Sequence, residues 1–372
     1  MPPEGRRFVV TTVIRGAPAG ASTGTVYVVD PQARRVLMAA PVFETPWAAA
    51  GTNPRGGHRG GRGITTADGR LAIANADEIH VFDRSWQRTA VLSDPAAGDL
   101  HELAAAGDGV WACSPRSDSL VRLGWDGTLR ERWTWRQDPA LVARFGYRAV
   151  APIDGSIDYR VMSDVNVDAV ALSQVNGVTV VEGGLLVGLG RVRMPSPTRA
   201  QRALALAGAT AEAMRVGRRL ARRLRAERVR RFGADPQPGA RRRGMVLSIA
   251  RDGAAEVLVD RPLVKWPNHN QVAHGREIVL CDTSAGRVVA IDRDSGHERV
   301  VTVPQAASFL RGLAWLEDDR FVVGTRRPAA LHLVDLASGR AEPVLELSDE
   351  WHESVHDIEP LPGDWDDPPN AL

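Results

Sequence analysis

Apolar and polar positions alternate with a period of two through most of this chain, in short runs cut by Gly, Asp, Asn and Pro. That period belongs to a pleated strand, whose successive side chains point to opposite faces. One group of runs reads Arg62–Thr66, a turn at Ala67-Asp68-Gly69, Arg70–Asn75 and Ile79–Asp83. A second spans residues 99–136 and includes Leu120–Trp125. A third begins near Val165, with a hairpin turn expected at Asn176-Gly177. Two more cover 266–303 and 308–348, sharing a third strand that ends in Asp and a Ser-Gly turn: Val288–Gly296 and Leu331–Gly339.

The groups are copies of one unit. His101–Cys113 and His269–Cys281 align without a gap, matching His with His, Gly107 with Gly275 and Cys113 with Cys281. Arg62-Gly63 and Arg311-Gly312 stand equally far ahead of Asn75 and Gly324. Repeats of about 40 residues rich in short strands are the signature of a radial β-architecture. Five internal units leave three strands at the N-terminus (residues 7–15, 24–30 and 34–42) and one at the C-terminus, from Val355. Together these make a sixth. The expectation is one all-β domain over residues 1–372, a six-bladed propeller whose terminal strands share a blade and so leave no open sheet edge.

One stretch breaks the pattern. Residues 191–243 hold 16 Arg against Glu212, Glu227 and Asp235, a balance of +13, which leaves the remainder at −11. Helix formers dominate Thr198–Arg231, and Val216, Leu220 and Leu224 mark a narrow apolar stripe. This predicts a basic helical insertion within blade four. Its 198–232 face suits docking on the acidic body or on a protein partner better than it suits nucleic acid or an anionic membrane.

Composition narrows the class further. No apolar run reaches membrane-spanning length, and the N-terminus lacks a signal-like apolar core. The two cysteines occupy equivalent positions in different units, too far apart to pair, so a reducing cytoplasm is expected. Phosphate-binding glycine loops, a nucleophile elbow and a His-Glu-x-x-His zinc motif are all missing.

In a propeller the first strand of each blade lines the axis, so its starting residues converge from distant parts of the chain. Here those are Arg62, His101 with Glu102, Asn166 with Asp168, His269 with Asn270, Arg311, and His356 with Asp357. His101, His269 and His356, with Asp168, form a candidate divalent-metal set by ligand type. Glu102, Asp168 and His356 are candidate acid–base groups. Arg62 and Arg311, with Asn270, suit an anionic substrate group, and His58 in a Gly/Arg-rich loop could close over it. The same polar residues could instead hold only ordered water.

Trp266–Ala273 followed by Ile278–Asp292 resembles a blade of the six-bladed propeller superfamily that includes the senescence marker protein/gluconolactonase, strictosidine synthase-like and NHL-repeat families. Phe309–Trp315 with Phe321–Thr325 is similar to a bacterial propeller family of uncharacterised function. In the gluconolactonase group, the resemblance implies an axial divalent cation held by Glu, Asn and Asp. Asn270, Asp168 and Glu102 would be the nearest equivalents. The histidines at that level favour a transition metal over calcium. The functional expectation is a small-molecule enzyme, a lactone or ester hydrolase or a related lyase or isomerase. The alternative is a non-catalytic scaffold that uses the Arg-rich helix as its partner surface.

Overall fold

The computed structural model describes residues 6–17, 21–44, 60–161, 172–194, 241–263, 268–304, 309–370 and 372. These form 24 strands in six four-stranded antiparallel sheets, the blades of a propeller. Blade one holds β1 (Phe8–Ile14), β2 (Thr25–Asp30), β3 (Arg35–Pro41) and, beside β1, the last strand β24 (Glu353–Pro360). Phe8 faces Pro360 and Ile14 faces Glu353 in that pair. The other blades are consecutive. They are β4–β7 (Ile64–Leu92), β8–β11 (Leu103–Trp133), β12–β15 (Val175–Pro262), β16–β19 (His269–Thr302) and β20–β23 (Leu310–Ser348).

The strand period explains how the blades hold together. In β1 and β2, Val9, Val26 and Val28 pack against Ile64, Leu71 and Ile73 of blade two. The intervening Phe8, Val10, Tyr27 and Val29 pack against Leu316, Val322 and Leu331 of blade six. Alternate residues of one strand thus serve two neighbouring interfaces. Six apolar clusters fill the six gaps between consecutive blades, so the core is a ring of wedges. Middle strands, covered on both faces, read as near-continuous apolar runs, as in the fully buried β9 (Gly109–Ser114). Outer strands such as β11 (Leu129–Trp133) are charged and half exposed, which discourages edge-to-edge association.

Blade four departs from the sequence reading. Its inner strand is β12 (Val175–Val181), downstream of the run at Val165. Asn176-Gly177 is not the hairpin turn. It lies inside β12, where the register slips between Val175 and Gly177, and the chain reverses after Val181, which pairs with Gly184. At the margins of the insertion expected over 191–243, residues 191–194 and 241–243 lie in strands. β13 (Gly184–Met194) and β14 (Arg241–Ala250) continue as a paired ladder to Met194 and Arg241, because strand pairing persists into the arginine-rich sequence. The helix expected over 198–232 lies outside the described residues. Helix among those described is confined to a 3₁₀ turn (Trp135–Gln137) and α1 (Pro139–Arg144), capped by Asp138. No helix among them is long and apolar enough to cross a membrane.

Candidate functional site

Inner strands carry an edge of N–H groups facing the axis, and the chain satisfies several of them with side chains from the neighbouring blade. Ile64 N–H donates to Asp357 Oδ2 (2.9 Å), and Thr66 N–H donates to Glu359 Oε1 (3.1 Å). Ala105 N–H donates to Thr65 Oγ1 (3.1 Å) and Val178 N–H to Glu102 Oε2 (3.3 Å). Gly312 N–H donates to Asn270 Oδ1 (2.8 Å), while Asn270 Nδ2 donates across the channel to Asp357 Oδ1 (2.9 Å). Glu102 and Asn270, expected from sequence to do chemistry, therefore stand with Asp357 in this polar belt and stitch blades together.

Above the belt sit the ring positions that the repeats align. His269 faces Cys281 in the ladder, and His101 exchanges backbone hydrogen bonds with Cys113 through the His101 N–H and the Glu102 carbonyl. Arg311 faces Gly324. The glycines after Arg62 and Arg311 allow neighbouring strands to approach. A Cβ on Gly63 would lie 2.3 Å from the His101 carbonyl, and Gly312 combines a φ of +73° with the Val355 and Ile358 side chains.

The structure brings Arg62, His101, His269, Arg311 and His356 into one cluster. The rings of His101 and His269 lie nearly parallel at 6.2 Å, and His356 meets His101 edge-on at 5.3 Å. Arg62 reaches both His356 Nε2 (3.1 Å) and Asp99 Oδ1 (2.8 Å). His101 Nδ1 donates to the Asp99 carbonyl oxygen (2.9 Å), which fixes its tautomer and leaves Nε2 as the basic nitrogen. His269 Nδ1 is 2.8 Å from Thr283 Oγ1. Burial, with Arg311 and Arg62 nearby, lowers the pKa of His101 to about 3 against the pull of Asp99. Burial and the same arginines hold His269 and His356 well below the usual imidazole range. All three rings are neutral at pH 7.

Arg311 is 4% exposed, and the carboxyl groups that act on its charge are Glu102 and Asp99. Its Nε is buried without a hydrogen-bond partner among the described residues. Burial, then Arg15 and Arg62, push its pKa down. Phe309 stands above it with three guanidiniums around the ring: Arg15 at 4.9 Å, Arg311 at 5.7 Å and Arg326 at 5.9 Å from the centroid. Sequence reasoning missed Asp99, Arg15, Arg326 and Phe309. None is the first residue of an inner strand, and only their closeness to aligned positions could have marked them.

Below the belt a cavity of about 330 Å³ runs along the inner strands, lined by Thr65, Thr66, Glu102, Thr179, Asp357 and Glu359 among others. Burial raises Asp357 to about 7 and, with the Asp357 charge, Glu359 to about 8. Glu102 is pushed well above the carboxylate range for the same two reasons, and its Oε1 is buried without a partner among the described residues.

The metal set expected from sequence draws on Asp168, which lies outside the described residues, so only its three histidines are placed here. No group of three or more His, Cys, Asp or Glu among the described residues is placed to hold a metal ion. His356 Nε2 accepts from Arg62, and the positive charge of Arg311 is felt at all three imidazoles, both of which oppose a cation beside them. Asp168, Asn166 and His58 lie outside the described residues.

No family model matches the chain, and no curated protein matches it in sequence. Solved structures do match in shape. One from a nidogen/laminin complex has a TM-score of 0.54 at 8% identity, covering 95% of this chain and 97% of that one. A protein of unknown function from Bacteroides caccae has a TM-score of 0.51 at 11% identity, covering 96% and 99%. Virginiamycin B lyase from Staphylococcus aureus has a TM-score of 0.42 at 13% identity, covering 78% and 71%. At these identities the likeness shows the fold alone: a six-bladed β-propeller.

Proposed function

We propose that this chain is an enzyme acting on a small anionic substrate at the imidazole–guanidinium end of its axial channel, with His101 as general base. The observation that supports this is the hydrogen bond from His101 Nδ1 to the Asp99 carbonyl, beside Arg62 and Arg311. It keeps a neutral ring with an unprotonated Nε2 in a buried, positively charged site. Such a nitrogen can take a proton from water or from a carbon made acidic by a neighbouring carbonyl. Arg62 and Arg311 would bind the anionic group and stabilise the oxyanion that develops. Hydrolysis of a lactone or ester, or elimination from one, fits both demands without a metal.

The test compares an aryl ester bearing a carboxylate with its uncharged counterpart. Faster turnover of the charged ester is expected, with a loss of about a hundredfold or more in His101→Ala. Because the base is already neutral well below pH 6, the rate should stay flat from mildly acidic to neutral pH. Equal turnover by His101→Ala, or no preference for the charged ester, would overturn the reading.

A further inference from the structure

Phe309, Arg15 and Arg326 form a group that the proposed chemistry does not use. Arg15 follows β1, Arg326 follows β21 (Arg320–Thr325), and Phe309 precedes β20 (Leu310–Glu317). Ile14 pairs with Glu353, and Arg326 bridges to Ser354, so the ends of β1 and β21 meet at the start of β24, two residues before His356. The arginines therefore stand at the mouth directly above the imidazoles, and the Arg15 charge is felt at both His269 and Arg311.

Three guanidiniums stand within 6 Å of one ring centroid, which concentrates positive charge on an aromatic face at this end of the channel. A guanidinium stacked on a ring keeps its N–H donors in its own plane, aimed outward from the stack, where a carboxylate or phosphate can take two of them. Arg326 is half-buried, forms no ion pair with a described residue, and has a buried Nε without a partner among them. Arg327 beside it stacks on Trp351 at 4.4 Å and adds another positive charge to this rim.

We infer that Phe309, Arg15 and Arg326 form a second anion subsite above Arg62 and Arg311, so that the ligand of this channel is a small dianion with its two charged groups at opposite ends. This rests on the reading of the axial site as an anion site. Arg311, which reaches Phe309 and borders the imidazoles, lies between the two subsites.

Calorimetric binding of butyrate, succinate, glutarate and glycerol phosphate to the full chain provides the test. At least one dianion should bind tenfold or more tightly than butyrate, and whether that is a dicarboxylate or the phosphate ester identifies the end group. Arg326→Met should remove that advantage while leaving butyrate affinity within twofold, and Arg15→Met should act in the same direction. Arg311→Met should weaken both classes. Thermal melts confirm that each variant is folded. Equal binding of butyrate and every dianion, or an unchanged ratio in Arg326→Met, would overturn the second subsite and leave the axial site standing. Wild-type protein that binds none of these anions would overturn both.

Discussion

Arg311 shows how one residue can be placed for function at the expense of stability. A guanidinium that is 4% exposed, beside Arg15 and Arg62, loses hydration and gains repulsion. Replacing such a charge with an apolar side chain of similar length removes both penalties. Arg311→Met should therefore raise stability by about 1 kcal/mol or more, read as a higher urea midpoint, while anion binding falls. A variant that melts lower would mean the charge is compensated in the folded state. The neighbouring glycines predict the opposite behaviour. Gly63→Ala puts a methyl 2.3 Å from the His101 carbonyl and 2.7 Å from the Leu103 nitrogen, both backbone atoms that cannot swing aside. A loss of about 2–3 kcal/mol is expected. Gly339→Ala makes a useful comparison, because a Cβ there meets nothing within 4 Å and only the positive φ is strained.

At the scale of strands, the polar belt is as much a fastening as a site. Asn270 accepts from Gly312 N–H on one side and donates to Asp357 on the other, bridging β16 (His269–His274) to β20 and β24. Asn270→Ala leaves a buried N–H without its acceptor and removes a donor from a buried carboxyl, for a cost of about 2–4 kcal/mol. Asn270→Asp keeps the acceptor and should recover part of that loss only at acidic pH, where the new carboxyl is protonated and can donate. This double duty explains what the sequence could and could not disclose. The His-to-Cys repeat carried the register: His269 faces Cys281, His101 bonds to Cys113, and the two Arg-Gly pairs fall at matching levels. Convergence of the strand starts was therefore legible. Blade four was not, because Asn176-Gly177 reads locally as a turn but serves as a bulge within β12. Nor could spacing distinguish a carboxylate that meets a ligand from one that meets the next blade's N–H, since both sit at the start of an inner strand. Arg15, Arg326 and Phe309 depend on where turns between strands end, which a period-two pattern does not encode.

Across the whole molecule, neutral imidazoles and guanidiniums stand above the belt, and carboxyls with raised pKa values stand in the belt and the cavity below it; together they set how stability depends on pH. Among the described residues, His101 has its pKa lowered to about 3, His80 and His332 to about 4, and His269 and His356 well below their ordinary value. A lowered imidazole pKa means that the unfolded chain binds more protons than the folded one, so stability climbs with pH up to the unfolded value of 6.5. Asp357 at about 7, Glu359 at about 8 and the raised Glu102 act in the other direction. Their folded forms keep protons that the unfolded chain has released, so their contribution is full below pH 4 and declines toward pH 8. Five imidazoles outweigh three carboxyls on the acid side, and the carboxyls act alone above pH 6.5. Stability should therefore peak near neutrality and fall between about pH 6.5 and 8. Glu359→Gln separates the causes. The amide can still accept from Thr66 but carries no charge for burial and Asp357 to disfavour or for Arg6 to favour. Its urea midpoint should match the wild type at pH 4.5 and exceed it at pH 8.5 by the equivalent of about 1–2 kcal/mol. An alkaline limb that is unchanged in Glu359→Gln would mean the cavity admits enough water to keep that carboxyl charged in the folded protein.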